Sequence, residues 1–404
     1  MDLLHNAVRP YAWGSRTAIA ELLGKEVPTP HPEAELWMGA HPGDPSRIVG
    51  ADGVERSLLD LLSADPDGQL GTRCANRWGT RLPFLLKVLA AEEALSLQAH
   101  PSAEQAAQGF AAEESAGVPR DSAIRNYKDP AAKPELICAL TEFHALAGFR
   151  EPHRTVTFLR TLDVPEFAPY TELLAAQPDS GGLRALFTTL ITLPQTALGA
   201  LLPHVLDACV LHVKEHGEFD AECRTILELG EAYPGDAGVL AALLLNRIVL
   251  QPGDAIHLPA GNLHAYLHGT GIEILANSDN VLRCGLTPKH VDVPELLRVL
   301  DFTCGDMPVL RGEETTPGVS VYRTPAPEFE LSRLEVTGET RVNHDGPQIM
   351  LCTRGSVELV SELGDRLELL QGQSVWLAAS DPAVVVRPSG TESAQLFRAT
   401  AGTD

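Results

Sequence analysis

Positive charge is scarce in this chain of 404 residues: 31 lysines and arginines stand against 54 aspartates and glutamates, for a formal net charge of −23. Such a surface repels nucleic-acid backbones and anionic membranes unless cations gather locally, and no stretch of the sequence forms a basic patch. Long apolar runs are missing too. Val239 to Leu245 is far shorter than the roughly 20 residues of a membrane span, and Leu198 to Val213 is interrupted by Pro203, His204 and Asp207. The opening Met1-Asp-Leu-Leu-His-Asn6 has neither the basic nor the apolar region of a signal peptide. Seven scattered cysteines, odd in number and without a Cys-x-x-Cys pair, exclude a disulfide framework. These absences predict a soluble, cytoplasmic protein with no nucleic-acid or membrane partner; a monomer is expected, although none of these absences fixes the oligomeric state. Such an acidic protein binds a small phosphorylated anion only where a few cations converge in one pocket.

What is present is a loop-rich globular composition, with 44% hydrophobic residues, 34 glycines and 30 prolines in a chain too long for one ordinary core. Runs such as Leu36-Trp-Met-Gly-Ala-His-Pro-Gly-Asp-Pro45 and Leu82-Pro-Phe-Leu-Leu-Lys-Val-Leu89 read as short strands between turns. From about Glu151 to Asn246 the period becomes helical: Phe219, Cys223, Ile226 and Leu227 fall on one face, and Pro194 to His216 suits a helix of four to six turns. Strands return after Arg247, broken by one helix over Val293 to Leu300. The segment Val249 to Asn262 aligns without a gap on Glu368 to Asp381, pairing Gly253 with Gly372 and Leu258 with Leu377. Each copy reads as a turn feeding a strand, which resembles half of a cupin, a small double-sheet barrel of jelly-roll type. Only the first copy continues to a histidine, His264, where the second has Ala383. The expected fold is mainly β with an α insert. Residues 1–150 and 247–320 would form a metal-binding catalytic cupin domain, 151–246 a helical insert, and 321–404 a degenerate cupin-like β domain.

Polar residues at strand spacing supply the candidate chemistry. In Gln98-Ala-His100-Pro, positions i and i+2 of an extended segment share a face, so both side chains can reach one cation. Lys133-Pro-Glu135 has the same geometry, because proline keeps Lys133 extended, and the apolar run after Glu135 places its carboxylate at the mouth of a buried sheet. Read alone, each pair could equally be a solvated or locally satisfied couple. His264, in Pro259-Ala-Gly-Asn-Leu-His-Ala-Tyr266, would add a second imidazole, with His257 and His268 as competitors. A glutamine, two histidines and a glutamate make an N/O set of charge −1, suited to a divalent borderline metal such as Zn²⁺ with one position open. Asp279, Arg283 and Lys289 lie in one loop after the strand Ile272 to Ala276, where the cations could hold a phosphate or polarise a carbonyl.

Taken in order, Tyr11-Ala-Trp13-Gly-Ser15, Gln98-Ala-His100-Pro, Asn126-Tyr-Lys-Asp129 with Lys133-Pro-Glu135, Pro259 to Tyr266, and Ser278-Asp-Asn-Val-Leu-Arg283 resemble the type I phosphomannose isomerases, and the likeness covers most of residues 8–295. The resemblance implies one zinc ion held by Gln98, His100, Glu135 and His264, with Arg283 catalytic. It also implies interconversion of mannose 6-phosphate and fructose 6-phosphate, with Trp13, Ser15, Lys128, Tyr266 and Lys289 as sugar-phosphate contacts. Two departures stand out. Ala132 replaces a frequent histidine before Lys-Pro-Glu, and Ser102-Ala103 replaces a frequent basic residue after Gln-x-His-Pro. Aldose–ketose isomerisation moves a proton between neighbouring carbons through an enediolate, whose charge zinc and Arg283 would stabilise. Lys133, Asp279, Glu135 or a zinc-bound water could carry the proton. The alternatives are a non-catalytic sugar-phosphate-binding cupin and a metal-dependent cupin oxygenase.

Overall fold

The computed structural model describes residues 1–49, 53–342 and 345–402. Among these, three sheets of eleven, nine and four strands carry the architecture, and a run of helices fills the interval Pro152 to Ala242. The chain is thus mainly β with a helical insert. The two long helices of that insert are Gln195–Glu215 and Asp220–Ala232, where the helical period runs. Gln195–Glu215 is long and apolar enough to cross a bilayer, yet its Leu198, Leu201, Leu202, Val205 and Cys209 stripe is buried in the helical core. Val293–Val299 forms the short helix expected there, and Ala103–Ser115 follows the Gln98-Ala-His100-Pro turn. Ser102 caps that last helix: its Oγ accepts the Gln105 N–H at 3.2 Å, while Gln105 Oε1 accepts the Ser102 N–H at 2.9 Å. One of the two sequence departures therefore serves helix initiation.

Alternation along single strands sorts the residues into layers. In Phe84–Ala91, the side chains of Phe84, Leu86, Val88 and Ala90 join a core shared with the nine-stranded sheet, which supplies Leu331, Ile349, Leu351, Trp376 and Phe397. Leu89 and Ala91 point the other way, into a barrel interior with Ile137, Phe143, Ala145, Ile256, Leu258 and Tyr266. A third core lies between the strands Leu97–Ala99, Phe143–Phe149 and Leu282–Gly285 and the helices. A fourth, with Val336, Met350, Val357, Leu369 and Val386, fills the space between the nine- and four-stranded sheets.

The two faces of the barrel are joined by one long strand, His264–Ala276. Its first part pairs with Phe143–Phe149 and Gln98, its second with Phe84–Ala91 and Glu135–Ala139. It turns the corner at Gly269, where φ is +120° and a Cβ would lie 2.6 Å from the Glu142 carbonyl oxygen. The repeat read from the sequence is also a backbone repeat: Gly253 and Gly372 have φ of +92° and +81°, and the strands Asp254–Leu258 and Ser374–Leu377 follow them. Strands Asp2–His5 and Arg47–Val49, from the start of the chain, belong to the nine-stranded sheet: Leu3 sits opposite Val375, and Leu4 opposite Ile48.

Candidate active site and metal centre

Strand parity decides which polar residues meet. Leu97 and Ala99 pack towards the helices, so Gln98 faces the barrel interior; by the same rule Ala265 and Leu267 turn His264 and Tyr266 inward, and Leu282 and Cys284 turn Arg283 inward. Gln98 lies opposite both His264 and Arg283 in register, so these three side chains stand in a row across adjacent strands. On the facing sheet Glu135, opposite Leu258 and Leu275, shares the inward face with Ile137. His257, one of the two competing imidazoles, pairs with Leu136 and so faces away from Glu135. The other, His268, is exposed and packs edge-on against His144, with ring centroids 6.4 Å apart.

His100, Glu135 and His264 are all buried, and their ligand atoms lie within 4.8 Å of one another. His100 Nδ1 donates to the Asn280 carbonyl at 2.7 Å and His264 Nδ1 to the Asn262 carbonyl at 3.0 Å. A carbonyl can only accept, so both hydrogens sit on Nδ1 and both Nε2 lone pairs point inward. There they meet an acceptor: His100 Nε2 is 3.2 Å from Glu135 Oε1, and His264 Nε2 is 3.5 Å from Glu135 Oε2. Both Nε2 atoms and Glu135 Oε2 are without hydrogen-bond partners among the described residues. Buried acceptors that converge with no donor between them repel one another unless a cation lies among them, so these residues fit a zinc-type ion. Burial, then the Lys133 ammonium, push the His100 imidazole down to about 4, which keeps it neutral at pH 7. Burial also favours the neutral form of Glu135, but the Lys133 ammonium, 3.0 Å from Oε1, outweighs it and holds the carboxyl well below its ordinary range.

Beside the metal donors opens a cavity of about 550 Å³, lined by Trp13, Gln98, Lys128, Lys133, Glu135, Tyr266, Asp279, Arg283 and Lys289 among others. Burial, followed by the charges of Glu273 and Glu135, raises the Tyr266 phenol far above its ordinary range. The Arg283 guanidinium makes no hydrogen bond or ion pair among the described residues, and burial lowers its affinity for its proton. Lys289 is lowered by burial and by its neighbours Arg283 and Lys128, so three cations lie near one another on the cavity wall. Ser15 stands apart from this lining: it is buried, and its Oγ accepts the Thr17 and Ala18 N–H groups at 3.2 and 3.3 Å. Its hydroxyl is taken up in starting the helix Ala18–Leu22.

Other cavity residues escaped the sequence reading. Lys87 is fully buried in Phe84–Ala91, 3.0 Å from Glu273 and 3.4 Å from Glu35; burial opposes its charge, but these carboxylates hold it protonated. Glu35 also accepts the Trp37 indole N–H at 2.7 Å. The signal was there, since Lys87 and Glu273 are charged residues inside apolar strand runs and face each other in register. His41, outside the cavity lining, was missed as well and touches it through Asp279. Its Nδ1 accepts the Gly43 N–H at 3.0 Å, so Nε2 carries the hydrogen and donates to Asp279 Oδ1 at 3.2 Å. That bond outweighs burial and lowers the Asp279 carboxyl below its ordinary range. The Asp279 backbone is fixed as well, its N–H donating to Asp129 Oδ2 at 2.9 Å.

Residues 1–152 match the model of the phosphomannose isomerase type I catalytic domain. Along nearly its whole length the chain is similar to curated proteins: it is 40% identical to the mannose-6-phosphate isomerase of Escherichia coli (strain K12), over 96% of this chain and 98% of that one. With the enzyme of Rattus norvegicus the identity is 32%, over 97% and 96% of the two chains. The structure superposes on a mutant of phosphomannose isomerase from Salmonella typhimurium with a TM-score of 0.90, at 36% identity and full coverage of both chains. A zinc-bound mannose 6-phosphate isomerase gives a TM-score of 0.89 at 37% identity, covering 100% of this chain and 99% of that one. With the inward-facing metal donors in the same barrel, this extent of likeness places the chain in the type I phosphomannose isomerase family, of cupin fold.

Proposed function

We propose that this chain is a zinc-dependent mannose-6-phosphate isomerase, interconverting mannose 6-phosphate and fructose 6-phosphate. One observation carries the reading: the buried, unpartnered acceptors of His100 and His264 converge on Glu135, and Glu135 lines the same cavity as Arg283, Lys289 and Lys128. A metal beside the cavity and a group of cations along its wall match a sugar carrying a phosphate. His100, Glu135 and His264 would hold the ion, and Gln98, beside His264 in register, is the fourth donor. Bound there, zinc supplies Lewis acidity towards the sugar oxygens.

The protein's own groups do the rest. Trp13 and Tyr266 form the walls that orient the sugar ring, and Lys289 with Lys128 binds its phosphate; Ser15, its hydroxyl committed to the adjoining helix, stands outside that lining. Arg283, its guanidinium unpaired among the described residues, has its charge available for the enediolate oxygen that develops during proton transfer. Asp279 is held ionised by His41 and faces the cavity, which suits it to accept the proton, whereas Glu135 is committed to the metal. Lys133, poised beside Glu135, donates to a sugar oxygen.

We also place the enzyme in the cytoplasm as a monomer, in keeping with its seven free cysteines. Metal analysis combined with a coupled isomerase assay tests the function. One zinc per chain and turnover of mannose 6-phosphate are expected. Sugar-phosphate binding without turnover after zinc is restored would leave a binding protein, and substrate-dependent oxygen uptake would mark an oxygenase.

A further inference from the structure

The function derived above makes no use of Tyr233-Pro-Gly-Asp236, the segment that leaves the helix Asp220–Ala232. Proline second and glycine third in a four-residue turn is the signature of type II, and the backbone obeys it: Gly235 has φ +76°, and the Asp236 N–H donates to the Tyr233 carbonyl at 3.2 Å. The turn fixes the Asp236 carboxylate between two parts of the molecule. Oδ1 accepts the Gly238 N–H at 2.7 Å, at the start of the short helix Gly238–Ala242. Oδ2 accepts the Thr287 N–H at 3.3 Å, and Thr287 lies in the loop that leaves Leu282–Gly285 and carries Lys289 to the cavity.

The contact between insert and loop is close. A Cβ on Gly285 would lie 2.8 Å from Gly238 Cα and 2.5 Å from Asp236 Oδ1, so the two backbones touch with no side chain between them. The next residue, Leu286, is buried at φ +55°, a left-handed conformation that a leucine holds only when its surroundings fix it. Beyond it the Lys289 N–H donates to Thr287 Oγ1 at 3.1 Å, which continues the chain of bonds from Asp236 to the backbone of Lys289. Asp236 is itself an acid near an anion site, and its charge can only weaken phosphate binding; its geometry is what serves that site.

We infer that Asp236 is a positioning residue for the substrate's phosphate: through Thr287 it sets the loop Leu286–Lys289 so that Lys289 converges with Arg283 and Lys128, and the helical insert thereby governs phosphate affinity. The inference rests on the proposed role of those cations. It is tested in the zinc-loaded enzyme by comparing wild type with Asp236→Ala, Asp236→Ser and Lys289→Ala. The readouts are kcat and KM for mannose 6-phosphate, inhibition by inorganic phosphate, and thermal unfolding. Serine keeps a cap for the Gly238 N–H but cannot also reach Thr287, so it separates helix initiation from the bridge. Both Asp236 variants are expected to raise KM and the inhibition constant of phosphate about tenfold, with kcat within about twofold of wild type. An effect of charge alone has the opposite sign, with tighter phosphate binding. That result, an unchanged KM, or a fall in kcat that tracks thermal destabilisation would overturn the inference. A raised KM in Lys289→Ala alone would sink only the positioning by Asp236, whereas an unchanged KM in Lys289→Ala would remove the phosphate reading and this inference with it.

Discussion

The guanidinium of Arg283 is half-buried beside Gln98 with no anion among the described residues to hold it, an arrangement that costs free energy in the resting enzyme and gains only when negative charge arrives. Arg283→Ala should therefore lower kcat by roughly 10²-fold with a smaller change in KM. Steady-state kinetics on the folded variant checks this, and a rise in KM alone would make Arg283 a substrate anchor. His41 gives a prediction with a sign. Its bond depresses the Asp279 pKa, so Asp279 stays a carboxylate above its ordinary titration range and is neutralised only as pH falls through the lowered value. Replacing the donor in His41→Leu should move the acid limb of the kcat/KM profile to higher pH, while His41→Gln, with an N–H in reach, should move it less. Identical profiles for all three proteins would detach His41 from the reaction.

Strand parity made part of this site legible without coordinates. Gln98 with His100, and Lys133 with Glu135, share faces because extended side chains alternate, and the same rule turns His257 away once its partner Leu136 is known. What alternation cannot supply is the partner strand. Residue 135 meets residue 264 only because His264–Ala276 bends between two faces, and nothing local to either segment records that pairing. The same holds for Lys87 and Glu273, whose charges look misplaced until their register is seen. The corner at Gly269 makes the bend testable. A side chain there would need both a left-handed-side φ and room that the Glu142 carbonyl and Phe143 occupy. Gly269→Ala should cost about 2 kcal/mol of stability in denaturant unfolding and loosen zinc, since His264 lies on the same strand. Stability and metal content equal to wild type would mean the corner tolerates a different path.

At the scale of the molecule, the metal donors come from three separate strands or their ends, so the ion binds the folded barrel and not the open chain. Zinc at about 100 times its dissociation constant should stabilise the protein by about 2.7 kcal/mol. A zinc-dependent rise in melting temperature that chelation reverses and His264→Ala abolishes is the expected result; equal melting with and without metal would contradict it. The exchange of strands between ends of the chain has a different consequence, in the order of events during synthesis. Asp2–His5 leaves the ribosome early, yet its partner Ser374–Leu377 is made some 370 residues later. Until then one edge of Asp2–His5 is unpaired, and the nine-stranded sheet cannot close. Completion of this sheet is thus a late event of high contact order, slower than the local folding of the helical insert and open to capture by chaperones or by a neighbouring copy.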